Sequence, residues 1–346
     1  MVAGMNLEGS RRPSFDAFGR LQLTLAINDY DQIRDLAAGK IRTEGIALTT
    51  LHFDIEEIFY RFLEYREWDV SEVSLAKYVS LISQGDTSLT AIPVFPSRMF
   101  RHSAFYVRRD GPVKVPADLA GRKLGLPEWA QTAAVYGRGL LAHEWGLNLA
   151  DIEWVQAGVN QPGRVEKVHL KLPAGIRYRA EPERSLNDML LDGSVDAIMT
   201  ARPPAAFLAG DPRVDRMIPD TRAAEVDYFR RTGIYPIMHV VALRRGIVDA
   251  HPWVAMNLFK AFEEAKNRSL ERLRDITASR VALPWLRDHV SAIEAIFGLD
   301  FFPYGLEPNR RTLDAFLAFA LEQGVTHRKL AAEELFPREV LTSFKV

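Results

Sequence analysis

The chain has 346 residues, 47% hydrophobic and 26% charged, with a formal net charge of -1 and no cysteine. That length exceeds one ordinary core, so about two domains are expected. The near-zero charge offers no global attraction for nucleic acid or an anionic membrane, and the missing cysteines exclude thiolate nucleophiles, thiolate metal sites and disulfides.

Residues 1 to 19 read as a flexible leader. An export signal needs roughly 7–15 apolar residues after its basic part; Asp16, Gly19, Arg20 and Gln22 interrupt any such run after "SRRPSF", so a cytoplasmic location is expected. No apolar run approaches the roughly 20 residues of a membrane span. "LQLTLAI" (21–27) is a strand that leads into a helix, "NDYDQIRDLAAGK", with Asn28 or Asp29 as cap. "GIALTTLHF" (45–53) is a second strand, followed by the amphipathic "DIEEIFYRFLEYRE" with Asp54 as N-cap. "WDVSEVSLAKYVSLIS" starts as a strand and turns helical at Ser71 or Ser74, and "LTAIPVFP" (89–96) is another strand. Strands alternating with helices mean parallel α/β units.

A turn-rich break at "RRDGPVKVPADLAG" precedes a restart of the same rhythm. "RKLGLP", "IEWVQA" and "VDAIMT" are strands; "EWAQTAAVYGRGLLAHEWG", "SLNDMLLDG" and the proline-started "RPPAAFLAG" are helices, and an irregular stretch runs from Gly158 past Pro173. After "YPIMHVVAL" the pattern from about 250 to 334 is almost entirely helical. This order fits two α/β lobes joined by two extended crossovers, near 98–108 and 234–245, with the helical tail packing back on lobe one. Lobe one is expected to span 20–100 plus 241–346, and lobe two 101–240.

Both crossovers carry cationic or titratable side chains inside strand-like runs: Arg98, Arg101 and His102 in "FPSRMFRHSAFYV", and His239 in "TGIYPIMHVVALRRG". Sites favour domain interfaces and the carboxyl ends of parallel strands, so these residues are candidates for one shared cleft. Arginine binds a carboxylate through two parallel hydrogen bonds, and two imidazoles facing one cleft can serve as acid and base. The bland alternatives are inter-lobe ion pairs for the arginines and buried structural roles for the histidines. On a regular strand Arg101 and His102 face opposite sides, so a twist or bulge is needed for both to reach one ligand. Helix starts beside Ser74 and Thr132 offer hydroxyls and free N–H groups to an anion. Glu72 and Glu128, near those starts, are candidates to orient a histidine or hold phenolic hydroxyls, and Arg202 is a third anion-binding candidate. There is no GxGxxG after the first strand, no P-loop, no GxSxG and no HExxH. The eight histidines lack metal-ligand spacing, so no metal is expected.

At these segments the sequence resembles the 4,5-dihydroxyphthalate decarboxylases. The likeness runs in order through "EWDVSEVSLAKYVSLI", "IPVFPSRMFRHSAFYV", "LPEWAQTAAVYGRGLL", "PGRVEKVHLKLPAGIRY", "DAIMTARPPAAF" and "RRTGIYPIMHVVALRR". It implies a two-lobed, type II periplasmic-binding-protein-like α/β fold with two crossover strands and a helical C-terminal segment. It also implies a decarboxylase without organic cofactor that acts on a small hydroxylated aromatic dicarboxylate, such as 4,5-dihydroxyphthalate giving protocatechuate. His102 and His239 would be catalytic, with their roles as acid and base left open. Arg98, Arg101, Glu72, Ser74, Glu128, Thr132 and Arg202 would bind substrate. Self-association stays open. Two alternatives remain: a non-catalytic binding protein for an aromatic or dicarboxylic acid, and a biosynthetic enzyme on the same scaffold.

Overall fold

The computed structural model describes residues 14–342. Most of the leader expected over 1 to 19 thus lies outside the described residues. Ser14 to Gly19 fold back on the first strand, where Phe15 bridges Leu21 and the Asp16 carboxylate accepts the Phe18 and Arg20 N–H groups.

Two sheets form two lobes. The first is ordered β2-β1-β3-β11-β4, from β1 (Leu21–Ala26), β2 (Ile46–Leu51), β3 (Val70–Ser74), β4 (Leu89–Ile92) and β11 (His239–Arg244). The second is ordered β10-β5-β9-β6-β7-β8, from β5 (Phe105–Arg108), β6 (Lys123–Leu126), β7 (Glu153–Gly158), β8 (Arg177–Ser185), β9 (Ala197–Met199) and β10 (Val214–Arg216). β1, β2 and β3 are parallel, whereas β11 arrives from the other lobe and inserts antiparallel between β3 and β4.

The helices are α1 (Arg34–Ala37), α2 (Ile55–Tyr65), α3 (Leu75–Ser83), α4 (Thr132–Gly139), α5 (Leu186–Asp192), α6 (Ala205–Leu208), α7 (Thr221–Thr232), α8 (Arg245–Ala250), α9 (Trp253–Arg274), α10 (Leu286–Phe297) and α11 (Arg310–Glu322). None among the described residues is long and apolar enough to cross a membrane. The strand-to-helix switch in "VSEVSLAKY" falls at Ser74, which has extended backbone, not at Ser71. Asn28 does not cap a helix, because its amide donates to the Phe53 carbonyl; a 3₁₀ turn begins at Asp31 instead. The first crossover is not one strand over 98–108 either. It breaks into a 3₁₀ turn at His102–Ala104, since the chain must swing from the crossover into β5.

The tail departs from its expected place. α9 packs against lobe one beside α1, but α11 lies against α4 of lobe two. There Phe319 meets Tyr136 and His143, and Gln323 exchanges hydrogen bonds with Arg138, Val135 and Trp129. Residues beyond α11 return to lobe one, where the Tyr78 hydroxyl donates to Leu335 and Phe336 packs on Phe95. One apolar cluster consequently runs through both lobes and the tail, with a smaller one inside lobe two around Tyr106, Leu186 and Ile198. Gly324 permits the junction: its φ is +70°, and a Cβ there would stand 1.9 Å from the Lys171 carbonyl oxygen.

Candidate active site between the lobes

The crossovers meet as an antiparallel pair. Arg98 bridges Ile237, the Met99 N–H donates to Pro236 at 3.1 Å, and the Met238 N–H donates to Ser97 at 2.8 Å. In front of them lies a cavity of about 650 Å³ with walls from both lobes, within the range of small-molecule sites. Lobe one contributes Phe59, Ser74 and Lys77, the crossovers Arg101 and His239, and lobe two Gln131, Thr132, Arg164 and Arg202.

His239 opens β11 opposite Ser74, at the carboxyl end of β3. Its Nδ1 lies 2.5 Å from Glu72 Oε1. Glu72 also accepts from the Tyr30 hydroxyl at 2.6 Å and the Asn28 N–H at 3.1 Å. A carboxyl group accepting from this many donors acts as a carboxylate, so Nδ1 carries the proton and Nε2 is left for the cavity. Burial, helped by the charge of Glu72, pushes the Tyr30 hydroxyl far above its usual range, so it remains a donor. Phe59 meets the imidazole edge-on, with centroids 4.9 Å apart. Glu72 itself is fully buried behind the ring and is absent from the cavity wall.

Arg101 is 8% exposed and points its donors at sulfur: Nε and Nη2 lie 3.2 and 2.7 Å from Met238, and Nη1 lies 3.6 Å from Met99. Thioethers are weak acceptors, and no carboxylate pairs with this guanidinium among the described residues. Burial lowers it to about 10, so it stays charged at neutral pH. The cavity therefore presents a cation whose strong donors face weak protein acceptors. Arg202 is exposed at the same cavity.

The remaining polar groups tie the lobes together. Lys77 on α3 pairs at 3.0 Å with the fully buried Glu128 of lobe two. Glu128 also accepts from Arg164 Nε at 2.7 Å, and Arg164 Nη2 reaches Glu56 on α2 at 3.0 Å. Burial would raise the Glu56 carboxyl, but Arg164 outweighs it and holds the group below its usual value. The hydroxyls of Ser74 and Thr132 lie 2.9 Å apart across the cleft, and Thr132 accepts the Ala76 N–H at 3.0 Å. Ser74 and Thr132 do line the cavity, but these hydroxyls already engage each other. The loop over the cavity turns tightly at Gly158, where a Cβ would sit 1.8 Å from the Gln161 carbonyl oxygen.

Four expected residues do not line the cavity: Glu72 and Glu128 stand fully buried behind it, the first holding His239 and the second Lys77 and Arg164, and Arg98 and His102 turn elsewhere. Arg98 donates to the Tyr235 and Pro303 carbonyls at 3.1 and 2.7 Å and to the Asn309 side chain, so it braces the crossover against the tail. His102 sits in the 3₁₀ turn that sends Arg101 toward the cleft and its own ring the other way. There it packs against Trp145 and Tyr228, 2% exposed, and its Nδ1 has no hydrogen-bond partner among the described residues. The pair of facing imidazoles is thus not formed. Lys77, Arg164, Gln131 and Phe59 were not singled out from the sequence as site residues. Lys77 had a signal, since "SLAKYVSLI" buries a lysine among apolar and small residues, which is rare without a partner.

Burial lowers the His102 imidazole from its ordinary 6.5 to about 4. As pH falls, the unfolded chain takes the proton first, so stability contributed by the neutral ring is complete above about 6.5 and is lost toward 4. At pH 5 the loss amounts to about 2 kcal/mol. Urea unfolding at pH 5 and 7.5 should show His102→Phe flattening this part of the profile while turnover persists. An unchanged profile in the variant would refute the assignment.

The chain matches no protein-family model. It is 38% identical over 328 residues to a 4,5-dihydroxyphthalate decarboxylase of Comamonas testosteroni, covering 94% of this chain and 99% of that protein. It is 37% identical over 212 residues to a 4,5-dihydroxyphthalate decarboxylase of Pseudomonas putida, covering 61% of this chain and 82% of that protein. Among solved structures it is similar in fold to the periplasmic aliphatic sulphonate binding protein SsuA from Escherichia coli. That likeness has a TM-score of 0.52 at 13% identity, over 92% of this chain and 98% of the other. The architecture is the two-lobed, type II periplasmic-binding-protein-like fold.

Proposed function

Because the chain belongs to the 4,5-dihydroxyphthalate decarboxylase family and is therefore a carboxy-lyase, we propose that its substrate is 4,5-dihydroxyphthalate or a close hydroxylated analogue and that His239 protonates the ring. The observation that carries this reading is the imidazole fixed by Glu72 in the same cavity as the buried Arg101. Direct loss of CO2 from an aryl carboxylate would leave a poorly stabilised aryl anion. A hydroxyl para to the leaving group instead pushes electron density toward the carboxylated carbon. That carbon takes a proton from Nε2 of the imidazolium form of His239, and the ring loses its aromaticity. The carbon–carbon bond then breaks, its electron pair restores the ring, and CO2 departs. Protocatechuate remains, and the neutral imidazole recovers its proton from solvent.

The other residues position. Arg101 holds the carboxylate that is retained, with Arg202 as a second cation of the cavity. Glu72 holds the imidazole in one tautomer. The bridges from Lys77 to Glu128 and from Arg164 to Glu56 keep the lobes together and water out of the cleft, which strengthens the electrostatic contacts inside. The scheme draws only on the chain's own side chains. A carrier for an organic acid would use the arginines but would have no need of an oriented imidazole.

Incubating the protein with 4,5-dihydroxyphthalate in D2O tests this directly. One CO2 should be released per substrate, with one deuterium at the vacated ring carbon of protocatechuate. Tight binding without CO2 would favour the carrier. Equally fast release from phthalate, which has no hydroxyl, would overturn the electron-push scheme.

A further inference from the structure

We infer that Gln131 is a specificity-determining residue that reads a ring hydroxyl of the substrate. This rests on the cavity being the substrate site, as proposed above.

Gln131 is the extended residue immediately before α4, on the lobe-two wall of the cavity. Its side-chain Oε1 is buried and accepts no hydrogen bond among the described residues. Neighbouring polar groups are committed elsewhere. Thr132 is engaged with Ser74 and Ala76, Arg164 with Glu56 and Glu128, and the Gln156 amide donates to the Pro127 and Arg164 carbonyls. A buried acceptor without a donor is destabilising, and native proteins contain few of them. The oxygen itself is covered, but the side chain lines the cavity, so a turn of the amide presents the acceptor there to a donor that the ligand brings.

The chemistry of the ligand then decides which group meets Gln131. Ionised carboxylates only accept, and ring C–H groups are poor donors, so on a hydroxylated benzene dicarboxylate the phenolic O–H is the matching partner. A site built to pair with a hydroxyl rejects the analogue that lacks it, because its own acceptor is then left unpaired. Accepting this hydrogen bond also draws the proton away from the phenolic oxygen. That oxygen donates more electron density to the para carbon, which is where protonation occurs. Gln131 would thus favour the hydroxylated ligand in binding and assist it in reaction, without itself exchanging a proton.

The test compares 4,5-dihydroxyphthalate with phthalate by calorimetric titration of the full chain, in a His239→Ala background so that substrate is not consumed. Gln131→Leu should weaken 4,5-dihydroxyphthalate by about tenfold or more and leave phthalate unchanged, so that the preference collapses. Gln131→Glu keeps an acceptor at the same reach and should retain the preference, even where both ligands bind less tightly. An unchanged preference in Gln131→Leu overturns the inference. So does equal weakening of both ligands, or loss of the preference in Gln131→Glu as well, since either marks a structural role. A weakening confined to phthalate would mean that the amide nitrogen faces a carboxylate, and would overturn it too. If the protein with Gln131 intact binds neither ligand, the cavity assignment falls and takes the inference with it; binding of both with the preference kept in Gln131→Leu removes the inference alone.

Discussion

His239→Ala is expected to lower kcat for 4,5-dihydroxyphthalate by about 10²–10⁴-fold, the usual contribution of a positioned acid or base, while Kd changes little. The separation follows from the geometry. Arg101 and the cross-lobe bridges do not depend on the imidazole, whereas no second histidine among the described residues lines the cavity. Glu72→Gln should cost less, because it removes the charge behind the ring but keeps a hydrogen-bonding group of the same size. His102→Phe should leave turnover at neutral pH close to that of the unaltered protein. Single-turnover measurements of CO2 release, with Kd determined separately, distinguish these outcomes. A His239→Ala protein within tenfold of the original kcat would end the proposed mechanism.

Arg101→Met is expected to weaken binding of the dicarboxylate by about 10- to 100-fold, the scale of a charge-assisted hydrogen-bonded contact. Thermal stability should hold or rise. Arg101 is a buried cation whose donors meet only sulfur at hydrogen-bond range among the described residues, so its desolvation has no ion pair there to offset it. Methionine would fill similar volume beside Met99 and Met238. A simultaneous loss in affinity and gain in melting temperature is the signature of a group kept for binding. Unchanged KM, or a large fall in melting temperature, would assign Arg101 to the architecture instead. Arg98 supplies the contrast: it donates to Tyr235, Pro303 and Asn309, so its removal should act on folding first.

Much of the lobe architecture was legible because its signals are local. "LQLTLAI" reads as a strand without reference to anything distant, and the change at Ser74 from strand to helix period lies within "VSEVSLAKY". The two crossovers stood out because cationic and titratable residues interrupt apolar runs there, and they do run side by side. What sequence could not resolve was the direction of each side chain once the chain turns. Arg101 and His102 are adjacent, yet a 3₁₀ turn separates their environments. Arg98 and Arg101 have the same chemistry and differ only in acceptors: carbonyls as far away as Pro303 claim one, and thioethers flank the other. β8 and α7 went unread, the first because seven of its nine residues are polar or proline in "RYRAEPERS", the second because "TRAAEVDYFRRT" buries only Tyr228 and so has almost no apolar stripe. Gln131 carries no local signal at all; only its buried oxygen without a donor among the described residues marks it.

The tail that crosses from one sheet's side to the other's and back bears on how this molecule can breathe. A carrier that surrenders cargo to a membrane partner must gape, swinging about its two connectors. Here a third strap, from α11 through Leu335, would have to peel from one side before any wide swing. A flat aromatic ring needs only a slot, and the half-buried pair of Arg164 with Glu56 spans the lobes where such a slot would open. The strap therefore makes the closed arrangement of the lobes the resting shape, and admission of a ligand the brief departure from it.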